Sequence, residues 1–393
     1  MIKTLIADSQ ELEVATPGVN KTTLLFALLA LTGIGAGLYA QAVGHHHAYA
    51  NTREMPWGLL ISSYAFFAIT STGLCLLAAI SHLFGGNRMA PIANRMVFLS
   101  IATIMGAFAI IGLELENPHR MLIYNMLSPN LTSNIWWMGT LYSMAVGFMF
   151  VEFFSILTHQ YKIAVTLGVM GAIAEVLANT NLGAVFATLA GRPFWYGSQL
   201  PIYFLSCAFM SGAAAAIVFT YFAYKIRNEE MDTATFQGVQ TAGKVLTLML
   251  FLISIATIWR FISFYVGGSE MARTAADALI NGPLAFNFWA IEIACGLAIP
   301  LLLLAMTGLR NVPVMAIAAG MVLFGQFISR YDLVVAGQIV PEFTGWSGLP
   351  TYLSYVPSVT EMLVTATGFG LACALFLLGE RFFGRAFRDA GHH

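Results

Sequence analysis

An all-α polytopic membrane protein is the fold class that three features of this chain predict. The 393 residues are 58% hydrophobic and only 9% charged, where soluble domains carry about 25% charged residues. Mean hydropathy is +0.77. The apolar residues also gather into ten stretches, each near the roughly 20 residues that cross a bilayer as a helix. So few charges cannot clothe a water-facing surface, and lipid must be the solvent for most of the chain. A formal net charge of −1 excludes a broad electrostatic surface for nucleic acid.

The spans are expected at 22–42, 57–84, 94–114, 135–158, 161–189, 199–224, 242–266, 286–307, 312–335 and 357–380. The segment 1–21 is polar and mixed in charge, with Lys3, Asp8, Glu11 and Glu13. It lacks the short apolar core and small-residue cleavage site of a signal peptide, so the first stretch reads as a retained span. Pro201 opens the sixth span and Pro313 the ninth, positions where a missing N–H has no helical partner to lose.

Orientation follows from Lys and Arg between the spans. Lys3, Lys21, Arg88, Arg95, Lys162, Lys225, Arg227, Lys244, Arg310, Arg381, Arg385 and Arg388 fall on one side, twelve in all. Arg53, Arg120, Arg192, Arg273 and Arg330 make five on the other. Both termini are therefore expected to be cytoplasmic. The outer segments 43–56, 115–134, 267–285 and 336–356 are long, and Pro129, Trp136, Trp137, Pro341 and Trp346 lie in or beside them. They suit either a partner subunit or plain loops with interfacial tryptophan anchors.

Cys75, Cys207, Cys295 and Cys373 lie singly in different apolar stretches. That spacing suits small buried side chains rather than a zinc or iron–sulfur site. Within the spans, Glu152, Glu175, Arg260 and Glu292 stand out. A charge at mid-bilayer costs about 2.5–3.5 kcal/mol, so such residues usually face a bundle interior and serve a pathway.

Several local patterns, in order along 56–380, resemble the NrfD/PsrC family of integral membrane subunits. They are Pro56-Trp57-Gly58, Glu114-Leu115-Glu116-Asn117-Pro118-His119-Arg120, Val151-Glu152-Phe153 and Asn179-Thr180-Asn181-Leu182-Gly183. Next come Arg192-Pro193-Phe194-Trp195-Tyr196 with Ser211-Gly212, then Glu292, Gly296 and Pro300. The last two run Arg330-Tyr331-Asp332-Leu333-Val334-Val335-Ala336-Gly337-Gln338 and Tyr355-Val356-Pro357-Ser358-Val359-Thr360-Glu361. Glu114 stands where the family has Asp, Glu116-Asn117 where it has Gly-Arg, and the fifth span lacks the usual His.

The resemblance implies a quinone-interacting subunit, for menaquinone or ubiquinone, without haem or iron–sulfur cluster of its own. It would lie in a bacterial or archaeal cytoplasmic membrane beneath a ferredoxin-like iron–sulfur subunit. A periplasmic molybdopterin-type or hydrogenase-type catalytic subunit, or a multihaem cytochrome, would complete the complex. The family's core would be two four-helix bundles, here 57–189 on the quinone side and 199–335. The segments 22–56 and 336–393 would flank them with the first and tenth spans.

A haem within the bilayer needs axial ligands at membrane depth. His45, His46, His47, His82, His119, His159, His392 and His393 all lie away from span centres. Electrons would therefore arrive from an adjacent protein, which puts a quinone site at the outer rim. Glu114, Glu116, His119, Arg120 and Tyr124 gather there beside Asn125, and Tyr64 is expected at a similar depth. Carboxylates and His suit quinone chemistry because they hydrogen-bond carbonyl oxygens and exchange protons. Glu152, Glu175, Ser71 and Thr72 could carry protons to that rim, or be structural acids bonded across helices. Arg260 and Glu292 read as a buried ion pair, which Arg330 and Asp332 could join. His45-His46-His47 is either a metal-ligand set or polar surface, and His392-His393 either natural or an expression remnant. The rival readings are a secondary transporter, suggested by ten spans and buried acids, and a purely structural anchor. A transporter would show broken helices at matched positions of both halves, and here the second and fourth spans have no break.

Overall fold

The computed structural model describes residues 19–84, 88–342 and 348–388. Lys3, Asp8, Glu11, Glu13, Trp346, His392 and His393 lie outside the described residues. Ten helices are long and apolar enough to cross a membrane, and no strand occurs among the described residues.

In chain order the helices are α1 (Val19–Val43), α2 (His45–Ala48), α3 (Leu59–Leu83), α4 (Ala90–Glu114) and α5 (Pro118–Leu127). They continue with α6 (Asn134–Leu157), α7 (Tyr161–Ala187), α8 (Gln199–Arg227), α9 (Thr233–Gly267) and α10 (Glu270–Ile280). A π-helical α11 (Asn287–Ala298) runs straight into α12 (Ile299–Thr307), and α13 (Val312–Ala336) and α14 (Val359–Arg388) complete the set. The α11–α12 pair makes one span.

Every expected span is present, and the ends that moved have a physical cause. The seventh starts at Thr233 rather than 242, because the Asp232 carboxylate accepts from Thr235 N–H and caps the helix. At 35 residues it is about 52 Å long, well beyond the hydrocarbon thickness. The tenth runs on to Arg388. Its charged end is carried by Phe383 and Phe387, which pack against Phe98 and Phe153. The segments 43–56, 115–134 and 267–285 hold α2, α5 and α10, helices shorter than a membrane crossing. Trp136 and Trp137 lie in the first turn of α6 and tie the preceding loop down, donating to the Asn125 and Leu131 carbonyls at 2.8 and 2.9 Å.

Packing radiates from α3. It is buried on all sides, from Leu59 to Ser81, and touches α4, α7, α8 and α13. Gly73 lets it meet α8: a Cβ there would lie 2.9 Å from Gly212 Cα, the close approach that small residues permit between membrane helices. Gly296 and Gly325 repeat the device between α11 and α13. By contrast α9 buries one stripe, including Val239, Ala242, Leu246, Leu250 and Ile253, and packs mainly on α8. α14 covers α4 and is itself covered by α1.

Two residues assigned to loops from sequence are interior. Arg95 Nε lies 2.6 Å and Arg227 Nε 3.6 Å from the two carboxylate oxygens of Glu380, all three side chains being buried. Arg330, counted with the outer charges although near the outer end of the ninth span, is buried within α13. Setting these three arginines aside leaves ten Lys and Arg against four, so the charge asymmetry survives.

Candidate functional site

The first half of the molecule builds a polar column on the inner stripes of three helices. On α3, Tyr64, Ser71, Thr72 and His82 share a face, since 7, 8 and 18 residues are close to whole numbers of turns. Tyr142, Met149 and Glu152 do the same on α6, and Gly168, Glu175 and Asn179 on α7. Glu175 is fully buried. Thr72 Oγ1 donates to its Oε2 at 2.6 Å and Ser71 Oγ to its Oε1 at 3.3 Å. Ser71 also meets Ser100 Oγ at 3.0 Å, and Ser100 donates to the Met149 sulfur at 3.0 Å.

Towards one end, Glu152 Oε1 lies 3.4 Å from His82 Nδ1 without hydrogen-bond alignment. His82 Nε2 is 3.2 Å from Asn94 Oδ1, whose amide donates to the Ala386 carbonyl at 2.9 Å. Gly168 leaves room for the carboxylate: a Cβ there would sit 2.5 Å from Glu152 Oε1. Towards the other end, the Tyr64 and Tyr142 rings pack edge to face at 6.5 Å, both within electrostatic reach of Glu175. The Tyr142 hydroxyl lies beside Thr72 and Asn179, and among the described residues neither it nor the amide atoms of Asn179 form a well-aligned hydrogen bond. His82 and Tyr64 are 18 residues apart on α3, about 27 Å along the helix. The column therefore covers most of a membrane's thickness. Tyr64 belongs to it, not to the rim where the sequence placed it.

At the rim, Glu114 ends α4 close to Glu116 and Glu361. Glu361 is fully buried and accepts from Tyr355 hydroxyl at 2.6 Å, Ser358 N–H at 2.8 Å and Ala50 N–H at 3.0 Å. Tyr49 donates to the Leu113 carbonyl at 2.9 Å and lies beside both Glu114 and Glu361, while burial pushes its phenol up. The His45 ring packs 4.8 Å from Tyr49. Burial pulls its imidazole below the usual value, against the opposing charge of Glu116. His46 and His47 are exposed, their rings in contact at 3.9 Å and tilted by 45°. Among the described residues no group of three or more His, Cys, Asp or Glu is placed to hold a metal. His119, Arg120 and Tyr124 do not join Glu114; they sit on the exposed side of α5.

The second half holds a different group. Arg260, Glu292, Ser329 and Asp332 line one small internal cavity with Tyr203 and Thr257. The expected Arg260–Glu292 ion pair is not formed, as no nitrogen and oxygen of the two come within 4.0 Å. Arg260 lies over Phe194 instead, 4.5 Å from the ring centre, a favourable cation–π contact. Arg330 packs between Tyr203 and Phe204 and donates to Cys207 Sγ, Gln326 Oε1 and Ser329 Oγ, each at 3.4 Å. Asp332 accepts from Asn287 at 3.1 Å. Glu292 sits midway along π-helical α11, the kind of widened turn that recurs at functional positions.

The motifs that carried the resemblance converge in space, where they join loops. Gln338 donates to the Trp57 carbonyl at 2.8 Å and accepts from its N–H at 3.1 Å. Trp57 stacks on Trp195, whose indole donates to the Leu333 carbonyl at 2.7 Å. Arg192 reaches the Glu54 carbonyl at 2.9 Å and Glu342 at 3.1 Å. Gly58 sits against the Tyr355 hydroxyl, and a Cβ there would lie 2.7 Å from Asn51 Oδ1.

Sequence reasoning missed His82, Tyr142, Asn179, Glu361 and Glu380 as members of these networks. Glu361 and Glu380 were visible as acids at the ends of the tenth span. The partners of Glu152 and Glu175 come from other helices and left no local signal.

A sequence profile described as "Polysulphide reductase, NrfD" matches residues 47–342. A selenate reductase subunit of Mesobacillus selenatarsenatis is 22% identical over 90% of this protein and 91% of its own length. A polysulfide reductase chain of Wolinella succinogenes is 22% identical over 72% of this protein and 94% of its own length. Protein NrfD of Escherichia coli is 23% identical over 42% of this protein and 51% of its own length. With ten helices able to span a membrane and a family match over most of its length, the chain is a multi-pass membrane protein of the NrfD polysulphide reductase family.

Proposed function

We propose that this chain is the membrane subunit of a respiratory oxidoreductase complex, exchanging electrons with menaquinone or ubiquinone at the outer rim of its first half. The names of the relatives, parts of a selenate reductase and a polysulfide reductase, support a place in such a complex. An iron–sulfur subunit and a catalytic subunit of molybdopterin, hydrogenase or multihaem type would then supply the metal centres on the periplasmic side. Both termini would face the cytoplasm, in keeping with the Lys and Arg asymmetry.

The observation that carries this reading is the buried polar column from His82 and Glu152 through Glu175, Ser71 and Thr72 to Tyr64, Tyr142 and Asn179. Quinone and quinol differ by two protons as well as two electrons. Their chemistry needs hydrogen-bond donors for two oxygens and a proton supply. The Tyr142 hydroxyl and Asn179 amide, neighbours in the column, are buried donors of that kind. On the surface of the same helices, a shallow groove of about 410 Å³ is lined by Trp137, Leu141, Leu177 and Asn181. At the rim, Glu114 with His45, Tyr49 and Glu361 provides acids, a base and phenols in one place. The column would connect this rim to the cytoplasmic side and allow proton movement to accompany electron transfer. α3 and α6 run unbroken, which favours this reading over a transporter built on matched broken helices.

The test is Glu114→Gln in the purified complex. Quinol-coupled turnover is expected to fall about a hundredfold, while the catalytic partner's turnover with a soluble dye stays unchanged. Undiminished quinol turnover would leave a structural anchor as the better reading.

A further inference from the structure

A cleft in the second half lies away from the column, and its chemistry differs. It encloses about 710 Å³ where α8 begins, α9 ends and α10 starts. Ile202, Leu252, Ala256 and Trp259 form an apolar wall exposed on the outer surface of the protein. Tyr196 and Trp259, both exposed, place the mouth at the depth where aromatic residues meet lipid headgroups.

Arg260 stands at the head of this cleft. Phe194 and Phe264 lie beneath its guanidinium at 4.5 and 5.6 Å. Among the described residues it finds no hydrogen-bond acceptor, its Nη2 is buried without a partner, and no carboxylate lies within 4.0 Å. Glu292 and Asp332 sit behind it in the internal cavity and do not line the cleft. A second positive feature points the same way: α8 starts in the cleft at Gln199, and the preceding Ser198 gives it no side-chain cap. An uncapped helix N-terminus offers free N–H groups and a partial positive charge. A guanidinium and a helix N-terminus above an apolar trough make a site for an amphiphile with an anionic head.

We propose that this cleft binds one anionic phospholipid, its phosphate on Arg260 and the α8 N-terminus and an acyl chain along Ile202, Leu252 and Ala256. A phosphate at the cleft side of Arg260 gives its guanidinium an anionic partner, where no carboxylate of the described residues comes within 4.0 Å. Arg rather than Lys suits the task, because its planar fork grips a phosphate while its face rests on aromatic rings.

The test uses the purified complex in nanodiscs doped with phosphatidylglycerol that bears a photoreactive acyl chain, followed by peptide mapping. Labelling is expected within 252–263, competed by excess phosphatidylglycerol but weakly by phosphatidylcholine. Arg260→Gln should lower it about tenfold, and Arg260→Lys should retain part of it. Ala256→Trp, at an exposed position one turn before Arg260, fills the trough while keeping the guanidinium and should also abolish labelling. Labelling of the Arg260→Gln and Ala256→Trp proteins equal to that of the unaltered protein would overturn the proposal. So would equal competition by phosphatidylcholine, or displacement by menaquinone, which would make the occupant a quinone.

Discussion

The two halves of this protein bury acids in opposite ways. In the first half, Glu152 and Glu175 have hydroxyls and one histidine as neighbours, with no Lys or Arg within 4.0 Å among the described residues. In the second, Glu292 and Asp332 share an internal cavity with Arg260, and Arg330 packs beside it. Hydroxyls both donate and accept, so Ser71 and Thr72 can reorient around Glu175 in either protonation state. A guanidinium only donates, so Glu292, which feels Arg260 and Arg330 across the cavity without a direct ion pair, loses a favourable field when it takes up a proton. The first half surrounds its acids with groups that suit either charge state, whereas the second sets Glu292 near fixed positive charges without pairing it directly.

The largest expected effect breaks or upholds that contrast directly. Glu175→Gln keeps the shape and most hydrogen bonds but cannot carry a proton. Quinol-coupled turnover should fall about a hundredfold, with dye-coupled turnover of the partner unchanged. Glu292→Gln should leave quinol turnover near the wild-type value. Equal losses in the two variants would mean that the halves do not differ in this respect.

Much of the fold was legible because each span is an apolar run interrupted by loop charges. Legibility ended where charges are paired inside the protein. Arg95, Arg227 and Glu380 read as span boundaries, yet they bind one another and the helices continue past them. α5 and α10 were missed because amphipathic helices of 10 and 11 residues fall below any span length. Within the site, Glu152 and Glu175 were conspicuous as isolated acids in apolar windows. Their partners depend on helix register and neighbour choice, which no single stretch encodes. Tyr64 was assigned to the rim by depth alone, while the α6 neighbour Tyr142 and the α7 neighbour Glu175 draw it into the column.

Glu380 sharpens the comparison from the structural side. Both its oxygens are engaged by buried arginines from α4 and α8, and Arg227 also reaches its backbone carbonyl. Glu380→Gln removes the charge that compensates two guanidinium groups. Leaving a buried partner uncompensated costs about 3–5 kcal/mol, so the unfolding midpoint of the purified protein should drop clearly. Glu175→Gln, whose partners are neutral, should shift it far less. If the two variants melt together, Glu175 is as structural as Glu380.

The smallest effect asks whether the hydroxyl on Glu175 matters at all. Thr72→Val keeps the side-chain shape and removes the 2.6 Å donor to Oε2. Hydrogen bonds between membrane helices average about 0.6 kcal/mol, so stability should fall by about that much. If the bond also holds the carboxyl in line for proton exchange, turnover should drop about threefold, the rate equivalent of that energy. Thr257→Val is the matched change in the second half, where Oγ1 is buried without a partner among the described residues. Removing an unsatisfied hydroxyl relieves its desolvation cost, so this variant should be neutral or slightly more stable. A loss at Thr257 equal to that at Thr72 would show that both hydroxyls serve packing, and the column would then lose its distinction from any other buried polar contact.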